Sequence, residues 1–339
     1  MKLIIQIPCF NEAESLPKTL LSLPRDIPGI DVIEYLVIDD GSSDDTSGVA
    51  RRYGVHHIIR HRRNRGLAAA FQTGINAALS AGADIIVNTD ADGQYEAQDI
   101  PLLVQPILEG RADIVVGDRQ VGDNRHFGPI KRKLQVIGSA LVRKLSSTPV
   151  TDAVSGFRAI SRQAAQRTYI VSSFSYTTEM LIQAGRKRLA VVSVPIRTNA
   201  VSRPSRLFKS IPQFIMNSGV TILRAYAMYN PLRVFVALGL LAAITGLLPI
   251  VRFLFLYFTG DGSGHIQSLV VGGSLLTLGV IAIMFGVVAD LIGRNRQLLE
   301  SVLERLHRLE DQNAAESETV GQRASDSETT GPALDGTHG

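Results

Sequence analysis

From residue 234 to 251, and again from 268 to 289, the chain carries no charged side chain. Each run approaches the ~20 residues that a helix needs to cross the hydrocarbon core of a bilayer. Such runs become either helices buried in a protein core or helices in lipid. Two of them, rich in Gly and Leu and close to the chain end, favour lipid, so a two-span hairpin is expected over 231–293. They also account for a mean hydropathy of +0.14 in a chain that is 19% charged. Arg224 and Arg233 precede the first run, and Arg294 and Arg296 follow the second. The connecting "TGDGSGHIQ" has neither Lys nor Arg. The positive-inside rule then places the N-terminal part and the tail in the cytoplasm, and Arg252 would snorkel to the far interface. The apolar stretch before Pro8 is shorter than a signal h-region, so no secretory signal is expected. Cys9 is the only cysteine, which excludes an internal disulfide.

The first 200 residues read differently. Strand-like runs occupy 3–7, 35–38, 57–59, 85–87, 114–116 and 191–194, with helical patterns between several of them, as at 66–81 and 128–145. This alternation predicts an α/β domain over 1–204 with a mostly parallel sheet. In such sheets ligands gather at the carboxyl ends of the strands, and the polar motifs fall there. Over 205–230, Leu207, Phe208, Ile211, Phe214, Ile215, Ile222 and Leu223 recur at helical spacing, with Pro212 dividing two helices. Packing on the sheet and lying in the membrane interface both fit, and the adjoining span favours the interface. A short cytoplasmic helix is expected over 294–312. Leu299, Val302, Leu306 and Leu309 make about two heptads there, compatible with a homo-oligomer but too few to decide it. Residues 313–339 have scarcely a large apolar side chain and are expected to be disordered.

The stretch "NTDADGQY", 88–95, closes the apolar run at 85–87. In extended backbone, residues i and i+2 share a side, so Asp90 and Asp92 would face one cation. Mg²⁺ or Mn²⁺ suits this pair, because such ions take one or two carboxylates and complete their shell with water and phosphate oxygens. Gln94 would add a neutral oxygen. A second cluster, "DDGSSDD" at 39–45, reads as a turn with an N-cap at Ser43 or Asp44. A carboxylate there could also meet a ribose or base. The first strand ends in "PCFNE", 8–12, so three strand ends carry acidic or amide groups.

Together "IPCFNEAESL", "VIDDGSSDDT", "NRGLAAAFQTG", "NTDADGQY", "VVGDR" and "DAVSGFRAIS" resemble the successive motifs of family-2 glycosyltransferases with the GT-A fold, a Rossmann-like, mostly parallel sheet. Within that family the chain is more similar to the polyprenyl- and dolichyl-phosphate hexose synthases. The resemblance covers about residues 3 to 200, and the two-span C-terminus resembles the membrane-anchored members. It implies a nucleotide pocket lined by Pro8, Asn11, Glu12 and Asp40, with Asn64 and Gly66 nearby, and Asp90, Asp92 and Gln94 holding the metal on the donor diphosphate. Arg119, Lys131, Arg132 and Lys133, with Arg203 or Arg206, would meet the lipid phosphate, since arginine grips phosphate oxygens in pairs. Lys131 to Lys133 also read as a solvated helix face, and Arg203 and Arg206 as attracted to anionic headgroups. Asp152 is a candidate for placing the acceptor or sugar, or a structural turn. Glu179 is a sugar contact or a helix-face residue.

The partners implied are a UDP- or GDP-sugar donor, a polyprenyl or dolichyl phosphate acceptor and the bilayer, with no nucleic acid, although a pI near 9.3 alone would suit one. A processive polysaccharide synthase would share the N-terminal motifs, but its Q-x-x-R-W segment needs a tryptophan, and this chain has none. A D-x-D phosphatase places its nucleophilic Asp after the first strand, whereas this pair follows the fourth. A membrane-anchored scaffold with a decayed transferase domain is the non-catalytic alternative.

Overall fold

The first strand, β1 (Lys2–Cys9), is buried along almost its whole length, and Leu3, Ile4, Ile5 and Ile7 expose no surface. A strand apolar on both faces belongs inside a parallel sheet covered by helices on both sides. The computed structural model, which describes residues 1–120, 129–170, 176–199, 230–259 and 266–329, places it there. The other strands are β2 (Val32–Asp39), β3 (His57–Arg60), β4 (Ile85–Asn88), β5 (Ile114–Asp118), β6 (Arg158–Ser161) and β7 (Val191–Pro195). They form one sheet in the order β3-β2-β1-β4-β6-β5-β7. All neighbours are parallel except β6, which runs antiparallel to β4 and β5.

Alternation along β1 divides the interior in two. Leu3, Ile5 and Ile7 pack with Val37, Val87, Leu103 and Phe157 on one face, and Ile4 packs with Leu36, Ile38, Phe71 and Ile86 on the other. The covering helices are α1 (Leu16–Ser22), α2 (Thr46–Arg52), α3 (Leu67–Ser80), α4 (Ile100–Leu108), α5 (Pro129–Ser146), α6 (Arg162–Arg167) and α7 (Tyr176–Arg186). The strand order reverses between β1 and β4, and a crevice opens beyond the carboxyl ends of strands at such a switch point. Sequence periodicity finds every strand but β6. That strand is four residues, "RAIS", and opens on an arginine, so it carries no apolar run.

The chain divides into two compact units, Met1–Tyr226 and Ala227–Gly339. Within the second, Pro231–Phe258 and Ile266–Asn295 are long and apolar enough to cross a membrane. They meet across glycines spaced seven apart. A Cβ on Gly239 would lie 2.6 Å from the Gly279 carbonyl oxygen, and one on Gly246 would lie 2.7 Å from that of Gly272. Small residues at such positions let two backbones approach closely in lipid. The second helix runs on from Ile266 to Thr329, past residue 313, where the sequence reading expects disorder. Low apolar content says that a segment has no core of its own, but Ala314, Ala315, Glu316 and Gln322 favour helix, and no proline interrupts before Pro332. The helices expected over 205–230 lie outside the described residues, apart from Asn230, the N-cap of the first long helix.

Candidate active site

The acidic pair leaves the end of β4 at the switch point. Asp90 follows the strand, but Ala91 and Asp92 form a turn instead of the extended backbone that the i, i+2 reading assumes. Gly93, at φ +69°, makes the turn possible. Asp92 Oδ1 accepts the Gln94 N–H at 3.0 Å, and Thr19 of α1 holds the loop by donating to the Ala91 carbonyl at 2.9 Å. The segment after β7 closes the other side. Asn199 donates its N–H to the Gln94 carbonyl at 2.8 Å and its side-chain amide to the Gly93 carbonyl at 3.1 Å.

The carboxylates sense each other. Burial first, then the charge of Asp92, pushes the Asp90 carboxyl up to about 7; Arg119 opposes the shift and Glu12 adds to it. A half-buried acid crowded by two others and answered by one guanidinium is a site of excess negative potential. Two buried phenols flank it. Burial and then the Asp90 charge push Tyr95 up to about 12 and hold Tyr176 well above its ordinary value, so both stay hydroxyls at neutral pH.

The residues expected to line a nucleotide pocket come from adjacent strand ends, and many of their polar atoms hold the loops together. Pro8 lies within β1, opposite Ile38 of β2. Asn11, at φ +56°, donates its N–H to Ser42 Oγ at 2.9 Å and accepts the Ser43 N–H at 2.8 Å. The Glu12 N–H donates to Thr46 Oγ1 at 2.9 Å, and its carboxylate accepts from the Ser15 hydroxyl. Asp40 is buried and accepts the N–H groups of Arg65 at 2.9 Å and Gly66 at 2.7 Å, while His61 Nδ1 lies 2.6 Å from it. Asn64 Oδ1 also accepts from the Gly66 N–H, at 3.0 Å. The N-cap of α2 is Asp45, not Ser43 or Asp44, and its side chain makes no capping bond. Asp44 instead accepts from Ala13 N–H at 3.0 Å and from Thr46 N–H at 3.1 Å, joining the first two strand ends.

Arg119 follows β5 and Asp152 precedes β6, and they bind each other. Arg119 Nε donates to Asp152 Oδ2 at 2.7 Å and a terminal nitrogen to Oδ1 at 3.0 Å, with both side chains buried. Burial works against the guanidinium charge, but Tyr95, Asp152 and Asp90 outweigh it and raise its pKa. Glu179, on α7, is buried and accepts from Gln183 Nε2 at 3.3 Å. Lys131, Arg132 and Lys133 fall on α5, but their side chains lie outside the described residues, as do Arg203 and Arg206 entirely.

Several site residues are not singled out from the sequence, although Asn88, Tyr95, Gly156 and Arg158 fall inside its motifs. Arg158 has no exposed surface and donates to the carbonyls of Ser155, Thr177 and Ala153 at 2.8, 2.8 and 2.9 Å, caging the loop "DAVSGFR". Burial lowers its pKa to about 10. Tyr95, Tyr176, Asn88, Gly156 and His61 likewise matter through tertiary contacts that no spacing announces.

Among the described residues no group of three His, Cys, Asp or Glu side chains converges to hold a metal alone. Asp90 and Asp92 fit a hard divalent ion of the kind that completes its shell with substrate oxygens. A Cβ on Gly156 would stand 3.4 and 3.5 Å from the two oxygens of Asp90, so this glycine lies directly beside that carboxylate.

A mixed, mostly parallel sheet with an acidic pair after its fourth strand is the GT-A fold. Residues 4–168 match the model of glycosyl transferase family 2. The chain belongs to this family. It is 31% identical over 58% of its length to an undecaprenyl-phosphate mannosyltransferase of Micrococcus luteus, covering 83% of that protein. It is 28% identical over 57% of its length to a UDP-N-acetylglucosamine–dolichyl-phosphate N-acetylglucosaminyltransferase of Methanococcus voltae, covering 83% of it. Among solved structures, glucosyl-3-phosphoglycerate synthase of Mycobacterium tuberculosis, in complex with Mn²⁺, UDP and glucosyl-3-phosphoglycerate, shares the fold with a TM-score of 0.51. It has 20% identity, over 65% of this chain and 79% of that one.

Proposed function

We propose that the chain is an inverting glycosyltransferase that moves a hexose from a UDP- or GDP-sugar to a polyprenyl phosphate. The observation that carries this reading is the acidic pair at the β1–β4 switch point, with Arg119 close enough to bear on Asp90. The two relatives named above support the acceptor: both names specify a phosphorylated polyisoprenoid, while the sugars differ. The two long apolar helices support residence in a membrane, where such an acceptor lies, and their basic flanks support a cytoplasmic catalytic domain and tail.

In this reading the ends of β1, β2 and β3 receive the nucleoside. Asp90 and Asp92, with Gln94, would hold a divalent ion, and Arg119 and the basic residues beyond it would draw in the acceptor phosphate. The ion would supply charge neutralisation for the departing diphosphate. A phosphate monoester has a second pKa of about 6, so the attacking oxygen is already ionised at neutral pH. A general base is therefore hardly needed, in keeping with Asp152, whose two oxygens are occupied by Arg119. The rate rests on positioning two anions and on electrostatics. The test is to supply purified protein with polyprenyl phosphate, Mg²⁺ and a panel of nucleotide-sugars, and to identify the lipid product by mass. A glycosylated lipid phosphate is expected with one donor. Transfer only to acceptors without a phosphate would overturn the reading.

A further inference from the structure

Gly156 is gripped from both sides of its backbone. Its N–H donates to the Tyr95 hydroxyl at 3.0 Å, and its carbonyl accepts from Asn88 Nδ2 at 2.8 Å. Asn88 Nδ2 also donates to the Tyr176 hydroxyl at 3.3 Å, and Asn88 Oδ1 is held by Gln6 Nε2 at 2.9 Å. Neither tyrosine can swing away. Tyr176 stacks on Phe71 with ring centres 4.1 Å apart, and Tyr95 stacks on Phe157 at 4.9 Å. Into this frame a Cβ on Gly156 would intrude 2.8 Å from the Tyr176 hydroxyl and nearly equally close to both Asp90 oxygens, at 3.4 and 3.5 Å. Three oxygens thus converge on the space that the glycine leaves. That space faces the carboxylate as a whole, not one of its oxygens.

We propose that Gly156 and Tyr176 are positioning residues for the acidic pair: the glycine leaves the space beside both oxygens of Asp90 free of a side chain, and the Asn88-held hydroxyl of Tyr176 bounds that space. This rests on the reading of Asp90 and Asp92 as a cation site and names what makes Asp90 usable in it. The loop "DAVSGFR" then serves two purposes. Asp152 at its start holds Arg119, and Gly156 near its end backs the cation site, so an acceptor seated by the loop and a donor seated on the pair share one rigid wall.

The test is Mn²⁺ binding to the full chain in detergent, read as loss of the free-ion paramagnetic resonance signal, with UDP and separately GDP present. Wild type is expected to bind with at least one nucleotide. Gly156→Ala should weaken that binding about tenfold or more, and Tyr176→Phe by a smaller factor of about threefold, while both keep a cooperative thermal transition. A merely structural role would move the transition and leave the Mn²⁺ affinity of the folded fraction alone. Folded Gly156→Ala protein binding within about twofold of wild type overturns the inference. If that variant does not fold, Tyr176→Phe decides: weakened binding upholds the inference, unchanged binding overturns it. Should wild type itself take up no Mn²⁺ with either nucleotide, the cation reading fails and the inference falls with it, an outcome distinct from a defect confined to the variants.

Discussion

Arg119 closes a two-pronged ion pair on Asp152, Nε to Oδ2 at 2.7 Å and a terminal nitrogen to Oδ1 at 3.0 Å, and so ties the exit of β5 to the entry of β6. Both side chains are buried, so removing the carboxylate takes a two-pronged acceptor from a buried guanidinium. Asp152→Ala should cost about 3–5 kcal/mol of stability, seen as a lowered thermal midpoint in detergent. Arg119→Lys keeps the charge but not the fork. It should lose less stability than Asp152→Ala and still lose most transfer activity. An Asp152→Ala protein as stable as wild type would show that the pair does not hold these elements together.

The Asp90 carboxyl gives a pH dependence with a definite sign. Its folded-state value of about 7 stands above the ordinary 3.8, so between these limits the folded, metal-free protein holds a proton that the unfolded chain has released. Stability from this group is therefore full at low pH and is lost as pH rises through that window. Cation binding selects the ionised form, so Mn²⁺ affinity should rise about tenfold per pH unit below 7 and flatten above it. Titrations at pH 6, 7 and 8 check this, and a flat profile would contradict it. Asp92→Asn removes the main repulsive charge and should bring the plateau to lower pH. It should abolish product without unfolding the protein.

How much of this was legible beforehand differs by the kind of interaction. The parallel strands announce themselves because each is a short apolar run between polar turns, and the acidic pair because it sits where one such run stops. β6 is silent since its first residue, Arg158, satisfies its charge with three carbonyls that meet only in the folded loop. The roles of Asp40 and Asp152 were legible as acidic residues near a site, but not as acceptors already taken by His61 and Arg119. Those partners lie 21 and 33 residues away in sequence. The turn at Asp92 shows the limit of the i, i+2 argument, because the strand stops at Asn88 and Gly93, with positive φ, turns the chain beside the acidic pair.

Asp40 leads to a further expectation. Its carboxylate gathers Arg65 N–H, Gly66 N–H and His61 Nδ1, and His61 Nε2 in turn lies 3.0 Å from Thr73 Oγ1 on α3. Each hydrogen bond to such a charged acceptor is worth about 1.5–3 kcal/mol. Asp40→Asn should therefore loosen loop 61–66 and weaken nucleoside diphosphate binding, with His61→Ala producing the same defect to a lesser degree. Calorimetric titration with UDP and GDP measures both. Intact nucleotide binding by Asp40→Asn would remove this residue from the pocket.

The glycine contacts between the two apolar helices can be tested against a control glycine in the second of them. A side chain at Gly239 meets the Gly279 carbonyl at 2.6 Å, a backbone atom that cannot rotate aside, whereas a Cβ at Gly273 meets nothing within 4 Å. Gly239→Leu must push the helices apart and should cost about 1–3 kcal/mol or more, as overpacking does. Gly273→Leu, facing open space, should be tolerated. The readout is the temperature at which detergent-solubilised protein aggregates, with the N-terminal unit's nucleotide binding as a measure of whether damage stays local. Equal sensitivity at the two positions would mean that the close approach at Gly239 is not what holds the hairpin together. A selective loss at Gly239, repeated by Gly246→Leu against the Gly272 carbonyl, would place hairpin stability on the glycines spaced seven apart.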